Sequence, residues 1–329
     1  MKNRKKEILL VGKGTDLSDK KVLQNRAKRK LIAQTVMLNL ISYCEEIEDY
    51  SLYKSYWNAY YCQSDLVTSK GKSFGNYCQY RFCPICSGIR KAKLLNKYMP
   101  IISKWESPYF MTLTSKSPSK NRISKAIQKR QKAFDLIYDR LNKRYIRNGG
   151  VKIMGIKTME SNFNPVKLTY NPHYHIIVNS EEAANLIMEE WLKQWPAKYV
   201  FKGGQHMRPV KDIEKDLIEV IKYSTKVFTE PDGKEANKKS KIPRKIYIAA
   251  MHEINKAFQG KKLIRKFGFT LPKATNQMPL TRTTKNYIDW EYDIKERNWI
   301  NTDTGTSFVD FNISPQLEYL LDNIDKKLR

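Results

Sequence analysis

Long apolar stretches are missing from this sequence of 329 residues. No window approaches the ~20 apolar residues that a membrane-spanning helix needs. The basic start of the chain is followed by an apolar run, 8–11, that is too short for the core of a signal peptide. We therefore expect no membrane partner and a location in the cytoplasm.

Acidic residues are also scarce, with 33 Asp and Glu against 61 Lys and Arg, which gives a formal net charge of +28. A polyanion such as DNA is the natural partner of so basic a protein. The densest stretch, 116–147, holds eleven basic residues and two acidic ones, Asp135 and Asp139. Its apolar residues recur at near-helical spacing, which predicts an amphipathic helix whose polar face can track phosphates.

Cysteines number five, and an odd count in a chain without an export signal disfavours disulfides. Cys83 and Cys86 lie in a Cys-Pro-Ile-Cys turn that suits two thiolates on one Zn²⁺, and Cys78 lies just upstream. Cys62, separated from Cys78 by fifteen residues, is the predicted fourth ligand, and Cys44 is the alternative. A thioredoxin-like redox role would need a βαβ setting around the motif. We expect a structural Zn²⁺ in a small Cys-rich module.

Histidine is scarcer still, with four residues in the chain. Two of them, His173 and His175, alternate in the segment 171–178, Asn-Pro-His-Tyr-His-Ile-Ile-Val, which is rich in strand formers. Alternate residues of a strand share a face, so both imidazoles are predicted to bind one cation. Glu160 ends the apolar stretch 151–160, which predicts the preceding strand, and it is the predicted third ligand.

The two remaining histidines, His206 and His252, stand isolated, and we interpret them as structural or surface groups. A His-x-His pair taken alone is also more often structural than functional. The metal hypothesis therefore depends on the residues that follow the pair along the chain.

A helix is predicted over 216–228, because its apolar residues fit helical spacing better than alternation. Glu219 lies four residues before Tyr223 and Lys226 three after it, so all three share one helical face. A phenol with a pKa near ~10 is a poor nucleophile unless its proton is removed and its target phosphate is polarised. The metal would polarise the phosphate, Lys226 would bind a phosphate oxygen or stabilise the phenolate, and Glu219 would accept a proton or activate a water. Alternatively, Glu219 is a surface carboxylate paired with a base such as Lys215.

The order of these motifs resembles that of the plasmid rolling-circle replication initiators, within the wider class of His-hydrophobic-His (HUH) endonucleases. The segment 108–114, Pro-Tyr-Phe-Met-Thr-Leu-Thr, is similar to their first motif. The segment 171–178 is similar to their metal motif, and 219–226 is similar to their tyrosine motif. The cysteine segment 78–90 is similar to one found upstream in many of these initiators.

The resemblance, which spans roughly residues 75–230, implies a mechanism. Tyr223 attacks a phosphodiester of single-stranded or extruded origin DNA, becomes joined to the 5′ phosphate and frees a 3′ hydroxyl as primer. In relatives with one tyrosine, a glutamate in the position of Glu219 activates a water for the terminating cleavage. Asn171 departs from the pattern, since many relatives have a histidine there, outside the ligand pair. The implied cofactor is Mg²⁺ or Mn²⁺, and the implied partners are origin DNA, a host helicase and replication proteins.

The sequence predicts an α+β fold, since strands and helices alternate in a way that suits an antiparallel sheet with helices on one side, as in ferredoxin-like folds. The resemblance implies the same core, with the metal on the sheet face and the tyrosine helix packed beneath it. The predicted core elements are strand 108–114, helix 121–146, strand 151–160, strand 170–178, helix 181–196, strand 199–209 and helix 212–228. The predicted segments are 1–60, helical and basic; 61–100, the Cys-rich module; 101–230, the nuclease core; and 231–329, an accessory region that begins in a polar loop over 230–243.

Two other functions stay open at this point. A transposase or a conjugative relaxase would use the same chemistry, although transfer enzymes often carry a second tyrosine or large helicase regions for which this chain is too short. A zinc-dependent DNA-binding protein without catalysis would keep every activity when Tyr223 is replaced by Phe.

Overall fold

Helices and antiparallel strands make up the computed structural model of the protein, which describes residues 6–223, 244–272, 280–315 and 318. The helices are α1 (Lys20–Glu46), α2 (Tyr53–Tyr60), α3 (Pro84–Ile102), α4 (Ile123–Asn148), α5 (Glu181–Lys193), α6 (Ile213–Tyr223) and α7 (Arg244–Ala257). The strands are β1 (Ile8–Val11), β2 (Thr15–Asp16), β3 (Asp65–Ser69), β4 (Lys72–Gly75), β5 (Tyr109–Leu113), β6 (Gly155–Asn164), β7 (Thr169–Val178), β8 (His206–Pro209), β9 (Ile264–Phe267), β10 (Thr281–Thr284), β11 (Ile288–Asp293) and β12 (Asn298–Asn301). The predicted α+β class is confirmed. None of the described helices has both the length and the apolar character that crossing a membrane would require.

The chain divides into two compact units. The terminal unit comprises Met1–Cys86 with Leu271–Arg329, and the central unit comprises Ser87–Thr270. Both ends of the chain contribute to the terminal unit because β11 pairs with β3. The four consecutive segments expected from the sequence are a different division, and as separate modules they stay a prediction.

The terminal unit is built on a five-stranded antiparallel sheet, in the order β12-β11-β3-β4-β2, and on a two-stranded sheet of β1 and β10. Its core includes Ala27 of α1 together with Leu66, Tyr292 and Trp299 of the larger sheet. Trp299 is fully buried, and its indole Nε1–H donates to the carbonyl oxygen of Gln63 at 2.8 Å. The last strand of the sheet thus holds the turn that precedes β3.

A buried lysine ties α1 to the same turn. The ammonium of Lys30 donates to the carbonyl oxygens of Tyr60 and Cys62 and to Ser64 Oγ, at 2.9, 3.1 and 2.8 Å. Burial lowers the pKa of Lys30 to about 8, and the three acceptors satisfy its three N–H donors. The backbone around Cys62 is therefore fixed by α1 as well as by β12.

The central unit is built on a second five-stranded antiparallel sheet, in the order β8-β5-β7-β6-β9. The chain order β5-α4-β6-β7-α5-β8, with the first four strands of the sheet arranged 8-5-7-6, is the predicted ferredoxin-like arrangement. Strand β9 extends it at the β6 edge. Strands β6 and β7 are buried over nearly continuous runs, as expected for a sheet that is covered on both faces.

The two faces of the central sheet differ because alternate residues of a strand point to opposite sides. One face, here the α4 face, carries Lys157 and Tyr174, which meet Phe134 of α4. The Phe134 ring centroid lies 3.7 Å from Lys157 Nζ and 5.4 Å from the Tyr174 ring centroid. Helix α5 packs beside α4. The opposite face, here the site face, carries His173 and His175.

Some element boundaries differ from the prediction. The strand predicted over 151–160 begins at Gly155 and continues to Asn164. Only the end of the strand predicted over 199–209 is a strand, because a 3₁₀ turn at Lys202–Gly204 interrupts it. The predicted loop 230–243 and the predicted end of the tyrosine helix, 224–228, lie outside the described residues.

Candidate active site

Three ligand-type side chains converge on the site face of the central sheet, and they are called the Glu-His-His group here. His173 and His175 come from β7, and Glu160 lies directly opposite His173 on β6. His173 Nε2 lies 3.0 Å from His175 Nε2. Glu160 Oε2 lies 3.7 Å from His173 Nε2 and 3.5 Å from His175 Nε2. The register of two neighbouring strands therefore brings together the three buried residues that the sequence predicts as ligands.

Contacts on the far side of each imidazole direct both Nε2 atoms into the group. His173 Nδ1 lies 2.7 Å from the carbonyl oxygen of Asn171, and since that oxygen can only accept, Nδ1 carries the proton. His175 Nδ1 lies 3.3 Å from Thr112 Oγ1 on β5. Burial lowers the pKa of His173 by more than the Glu160 carboxylate raises it. Burial thus favours the neutral ring, and the proton on Nδ1 leaves Nε2 with the free lone pair that a metal ligand needs.

The spacing of these ligand atoms fits a divalent cation. Adjacent ligands of an octahedral ion with bonds of about 2.1 Å lie about 3 Å apart. The distances in the Glu-His-His group run from 3.0 to 3.7 Å. Nitrogen and oxygen ligands of this kind suit Mg²⁺ and Mn²⁺. The group can therefore hold a metal ion, and three protein ligands leave an octahedral ion with positions for water or substrate.

Helix α6 lies on the site face. The guanidinium of Arg208, on β8, donates to both carboxylate oxygens of Asp216, on α6, at 2.8 and 2.5 Å. The same guanidinium lies 4.7 Å from the Phe110 ring centroid, which is 5.7 Å from the His175 ring. Helix α6 also packs against β6 and β7, the two strands of the Glu-His-His group. The tyrosine helix and the ligand group therefore share one face of the sheet.

Tyr223 is the last described residue of α6, seven residues after Asp216 and four after Glu219. Residues at these spacings lie on one side of an α-helix. The backbone thus places Tyr223 on the side of α6 that carries the ion pair with Arg208. Hydrogen bonding to Asp216, with a smaller contribution from the charge of Glu219, raises the pKa of Arg208. Lys226 lies outside the described residues, and its role stays a prediction.

Sequence reasoning missed three residues that support the site: Thr112, Arg208 and Asp216. Thr112 could have been found from the sequence, because it lies in the segment 108–114, where threonine alternates with apolar residues as in a strand. In the structure it is in register with His175. No local sequence pattern predicts the ion pair between Arg208 and Asp216. An aspartate in the first turn of a helix is usually explained by the helix dipole alone.

The two isolated histidines occupy different environments. His206 is exposed on the edge strand β8, in register with Thr112. His252 is fully buried within α7. Neither belongs to a metal-ligand group in the part of the chain that the structure describes.

A second group lies in the terminal unit, where the sulfur atoms of Cys62, Cys78, Cys83 and Cys86 are all within 4.8 Å of one another. Cys86 Sγ lies 3.6 Å from both Cys62 Sγ and Cys78 Sγ. Around a tetrahedral Zn²⁺ with bonds of about 2.3 Å, sulfur atoms lie about 3.8 Å apart. The group therefore fits a structural Zn²⁺, and Cys62, not Cys44, completes it.

Local structure favours a thiolate at Cys86, whereas hydrogen bonds from the other three thiols and burial raise the pKa of Cys62. Cys83 and Cys86 flank Pro84, the first residue of α3, so both lie at the positive end of a helix dipole. Hydrogen bonds from Cys62, Cys78 and Cys83 lower the pKa of the Cys86 thiol. None of the five cysteines forms a disulfide, so no disulfide competes with metal binding.

Comparison with known proteins places the chain in a family. A family model described as "Replication protein" matches residues 72–316. A protein called "Protein rep" from Staphylococcus aureus is 28% identical over 178 residues, which cover 50% of this chain and 76% of that protein. No solved structure matches. Because the matched range takes in most of the chain, including the Glu-His-His group and Tyr223, this protein belongs to the family of replication proteins.

Proposed function

We propose that the protein is a plasmid rolling-circle replication initiator that nicks one strand of origin DNA with Tyr223 as the nucleophile. The observation that carries the proposal is the position of the Glu-His-His group on the sheet face where α6, the helix that carries Tyr223, packs. Membership of the replication protein family supports DNA as the substrate. The net charge of +28 supports the same substrate, because neutralising phosphates releases counterions.

The proposed chemistry is a transfer of a phosphodiester from a sugar oxygen to a tyrosine oxygen. Glu160, His173 and His175 would hold Mg²⁺ or Mn²⁺, which polarises the scissile phosphate when bound. Tyr223 Oη gives up its proton to Glu219 or to a water molecule and attacks phosphorus, so that a bond to the 5′ phosphate forms and the bond to the 3′ oxygen breaks. The 3′ oxygen takes up a proton and becomes the hydroxyl that primes synthesis. Lys226 would bind a phosphate oxygen or stabilise the phenolate.

Glu219 is the proposed base of the terminating cleavage. It lies one helical turn before Tyr223 on the same side of α6. It would take a proton from a water molecule, whose oxygen attacks the second phosphodiester and releases another 3′ hydroxyl. Because Glu219 belongs to the helix that Arg208 anchors, one ion pair would position both the nucleophile and this base.

The Cys62, Cys78, Cys83 and Cys86 group would hold a structural Zn²⁺ that shapes the terminal unit. This role leaves the nicking chemistry to the central unit. In the proposed function the protein acts in the cytoplasm on the plasmid origin, where a host helicase and replication proteins would take over the nicked strand.

A covalent adduct between protein and DNA tests the proposal. Supercoiled DNA carrying the gene and its flanks is incubated with the protein in Mn²⁺ or in EDTA, and the products are separated on a denaturing gel. We expect an adduct in Mn²⁺ and none in EDTA. Tyr223→Phe should abolish it, whereas Tyr199→Phe, at an exposed tyrosine of the same unit, should not.

The same assay separates the proposal from its alternatives. Tight DNA binding without an adduct under any condition would point to a non-catalytic zinc-dependent DNA-binding protein. An adduct that forms at the ends of a mobile element and not near an origin would point to a transposase or a relaxase.

A further inference from the structure

Helix α4 carries a stripe of basic side chains along its solvent side. Its members, all exposed, are called the α4 stripe and are Lys125, Lys129, Lys132, Lys143 and Arg147. At about 100° per residue, these five positions fall within about 60° of one another around the helix axis. At about 1.5 Å per residue, the stripe is about 33 Å long.

The charges of the α4 stripe are not neutralised by ion pairs in the part of the chain that the structure describes. None of the five members takes part in an ion pair with a described residue. Two other arginines of α4 behave differently, since Arg140 and Arg144 reach Glu190 at 3.1 and 3.4 Å. One exposed acid, Asp139, lies beside the stripe. The stripe is therefore an elongated surface with a net charge of one sign.

The α4 stripe faces away from the candidate active site. Helix α4 packs through Phe134 on the α4 face of the sheet, where Phe134 meets Lys157 and Tyr174. The Glu-His-His group lies on the other face of the same strands. DNA bound along the stripe would thus be separated from the cleaved phosphate by the thickness of the helix and the sheet.

We propose that the α4 stripe is a second DNA-binding surface, which holds duplex DNA by its phosphates while the site face takes the single strand that is cut. The assignment of the cut single strand to the site face rests on the proposed nicking function. The assignment of duplex DNA to the α4 stripe rests on the charges of the stripe. Its length of about 33 Å is close to one turn of B-DNA, about 34 Å. Lysines on flexible stems suit contacts to phosphates that carry no sequence information.

The composition of the stripe favours a duplex over a single strand. Surfaces that bind single strands combine cations with aromatic side chains on which bases stack. The aromatic residues of α4, Phe134, Tyr138 and Tyr145, lie on the opposite side of the helix from the stripe and are not exposed. The stripe therefore offers charge without a stacking platform.

Charge removal with a matched control tests the proposal. The full-length Lys125→Gln/Lys129→Gln/Lys132→Gln variant is compared with Lys104→Gln/Lys152→Gln/Lys262→Gln, which removes the same charge from exposed lysines elsewhere in the central unit. Binding to a fluorescent duplex of about 30 base pairs is followed over a salt series. We expect the stripe variant to lose about 2–3 units of the slope of log affinity against log salt, and at least tenfold in affinity near ~0.15 M salt. The control should stay within about twofold of wild type.

Cleavage of a single-stranded origin oligonucleotide in Mn²⁺ provides the second readout. We expect the stripe variant to cleave it at a rate within about twofold of wild type, which also shows that the variant is folded. Equal losses of duplex affinity in the stripe and control variants would overturn the proposal, since total charge would then explain binding. A loss of oligonucleotide cleavage as large as the loss of duplex binding would overturn the separation of the two surfaces. If wild type fails to cut the oligonucleotide while the stripe variant alone loses duplex affinity, the nicking proposal fails and the stripe proposal stands.

Discussion

Arg208 on the edge strand β8 holds Asp216 at the start of α6 by a two-point ion pair, with N–O distances of 2.8 and 2.5 Å. The side chain of Asp216 is 10% exposed and that of Arg208 is 36% exposed. A guanidinium that meets both oxygens of a carboxylate fixes direction as well as distance. The pair therefore sets the position of the helix that carries Tyr223 relative to the sheet that carries the Glu-His-His group.

Arg208→Lys should slow formation of the covalent adduct at least tenfold, because lysine keeps the charge but loses the fork that orients α6. The affinity for Mn²⁺ should not change, since the ligands lie on β6 and β7. Single-turnover adduct rates and Mn²⁺ titrations measure the two effects. Asp216→Asn should also lower the free energy of unfolding by about 1–3 kcal/mol, less than for a fully buried ion pair because Arg208 is partly exposed.

Lys215→Ala is the matched control for this pair. Lys215 pairs with Asp212, the residue just before α6, but their side chains are 83% and 42% exposed, so the pair should contribute little. An Arg208→Lys protein that forms adduct at the rate of wild type would show that the ion pair does not position the nucleophile.

Glu160→Gln should abolish adduct formation and the stabilisation of the protein by Mn²⁺, because it removes one of three ligands at nearly constant volume. His173→Ala and His175→Ala should have the same effect. Affinity for DNA should be largely kept in all three. The melting temperature with and without Mn²⁺, together with DNA binding in EDTA, checks this. His206→Gln, at an exposed histidine outside the group, should keep both properties, and a loss of DNA binding in every ligand variant would indicate a structural role.

Lys157 should make the free energy of unfolding change with pH in the alkaline range. It lies between the rings of Phe134 and Tyr174, with Asp135 at 3.2 Å, and burial lowers its pKa from 10.5 to about 8. Below pH 8 the folded and unfolded chains both carry the proton. Between pH 8 and 10.5 only the unfolded chain binds it, so the free energy of unfolding rises with pH. From pH 8 to 10, wild type should gain about 1–3 kcal/mol relative to Lys157→Met in urea denaturation.

The comparison with Lys157→Met isolates this group, because Lys30, whose pKa is lowered in the same direction, is present in both proteins. Parallel curves of unfolding free energy against pH for the two proteins would show that Lys157 titrates in the folded state as it does in the unfolded chain.

Removal of zinc should destabilise the terminal unit, since structural sites contribute their binding free energy to folding. We expect about one equivalent of Zn²⁺ in the purified protein by elemental analysis, and a lower melting temperature after a strong chelator. Cys86→Ser should lose the metal. Cys44→Ala, at a buried cysteine outside the group, should keep it. Retention of Zn²⁺ by Cys86→Ser would argue against the four-cysteine site.

The sequence predicts most of the ligand geometry because local rules decide it. Alternation along β7 puts His173 and His175 on one face, and the tight hairpin from β6 to β7 fixes the register that sets Glu160 opposite His173. The Cys-Pro-Ile-Cys turn similarly brings the sulfur atoms of Cys83 and Cys86 close together. The side chain of Lys226 cannot be compared, because it lies outside the described residues.

Pairings between distant parts of the chain could not be predicted. Strand β3 pairs with β11, and Arg208 reaches Asp216 across a face that only the folded sheet defines. No periodicity in the sequence predicts either the strand pairing or the ion pair. The strand predicted over 199–209 was wrong over most of its length, because a 3₁₀ turn occupies Lys202–Gly204 and the strand covers only His206–Pro209.

The bond from Trp299 to the carbonyl oxygen of Gln63 joins two segments that the ribosome synthesises far apart in time. The ribosome makes Cys62, Cys78, Cys83 and Cys86 early, then the whole central unit, and only afterwards the strand that carries Trp299. Domains generally fold as units while synthesis proceeds. The central unit, which carries the Glu-His-His group, can therefore be complete on the ribosome while the sheet of the terminal unit still lacks its final strands.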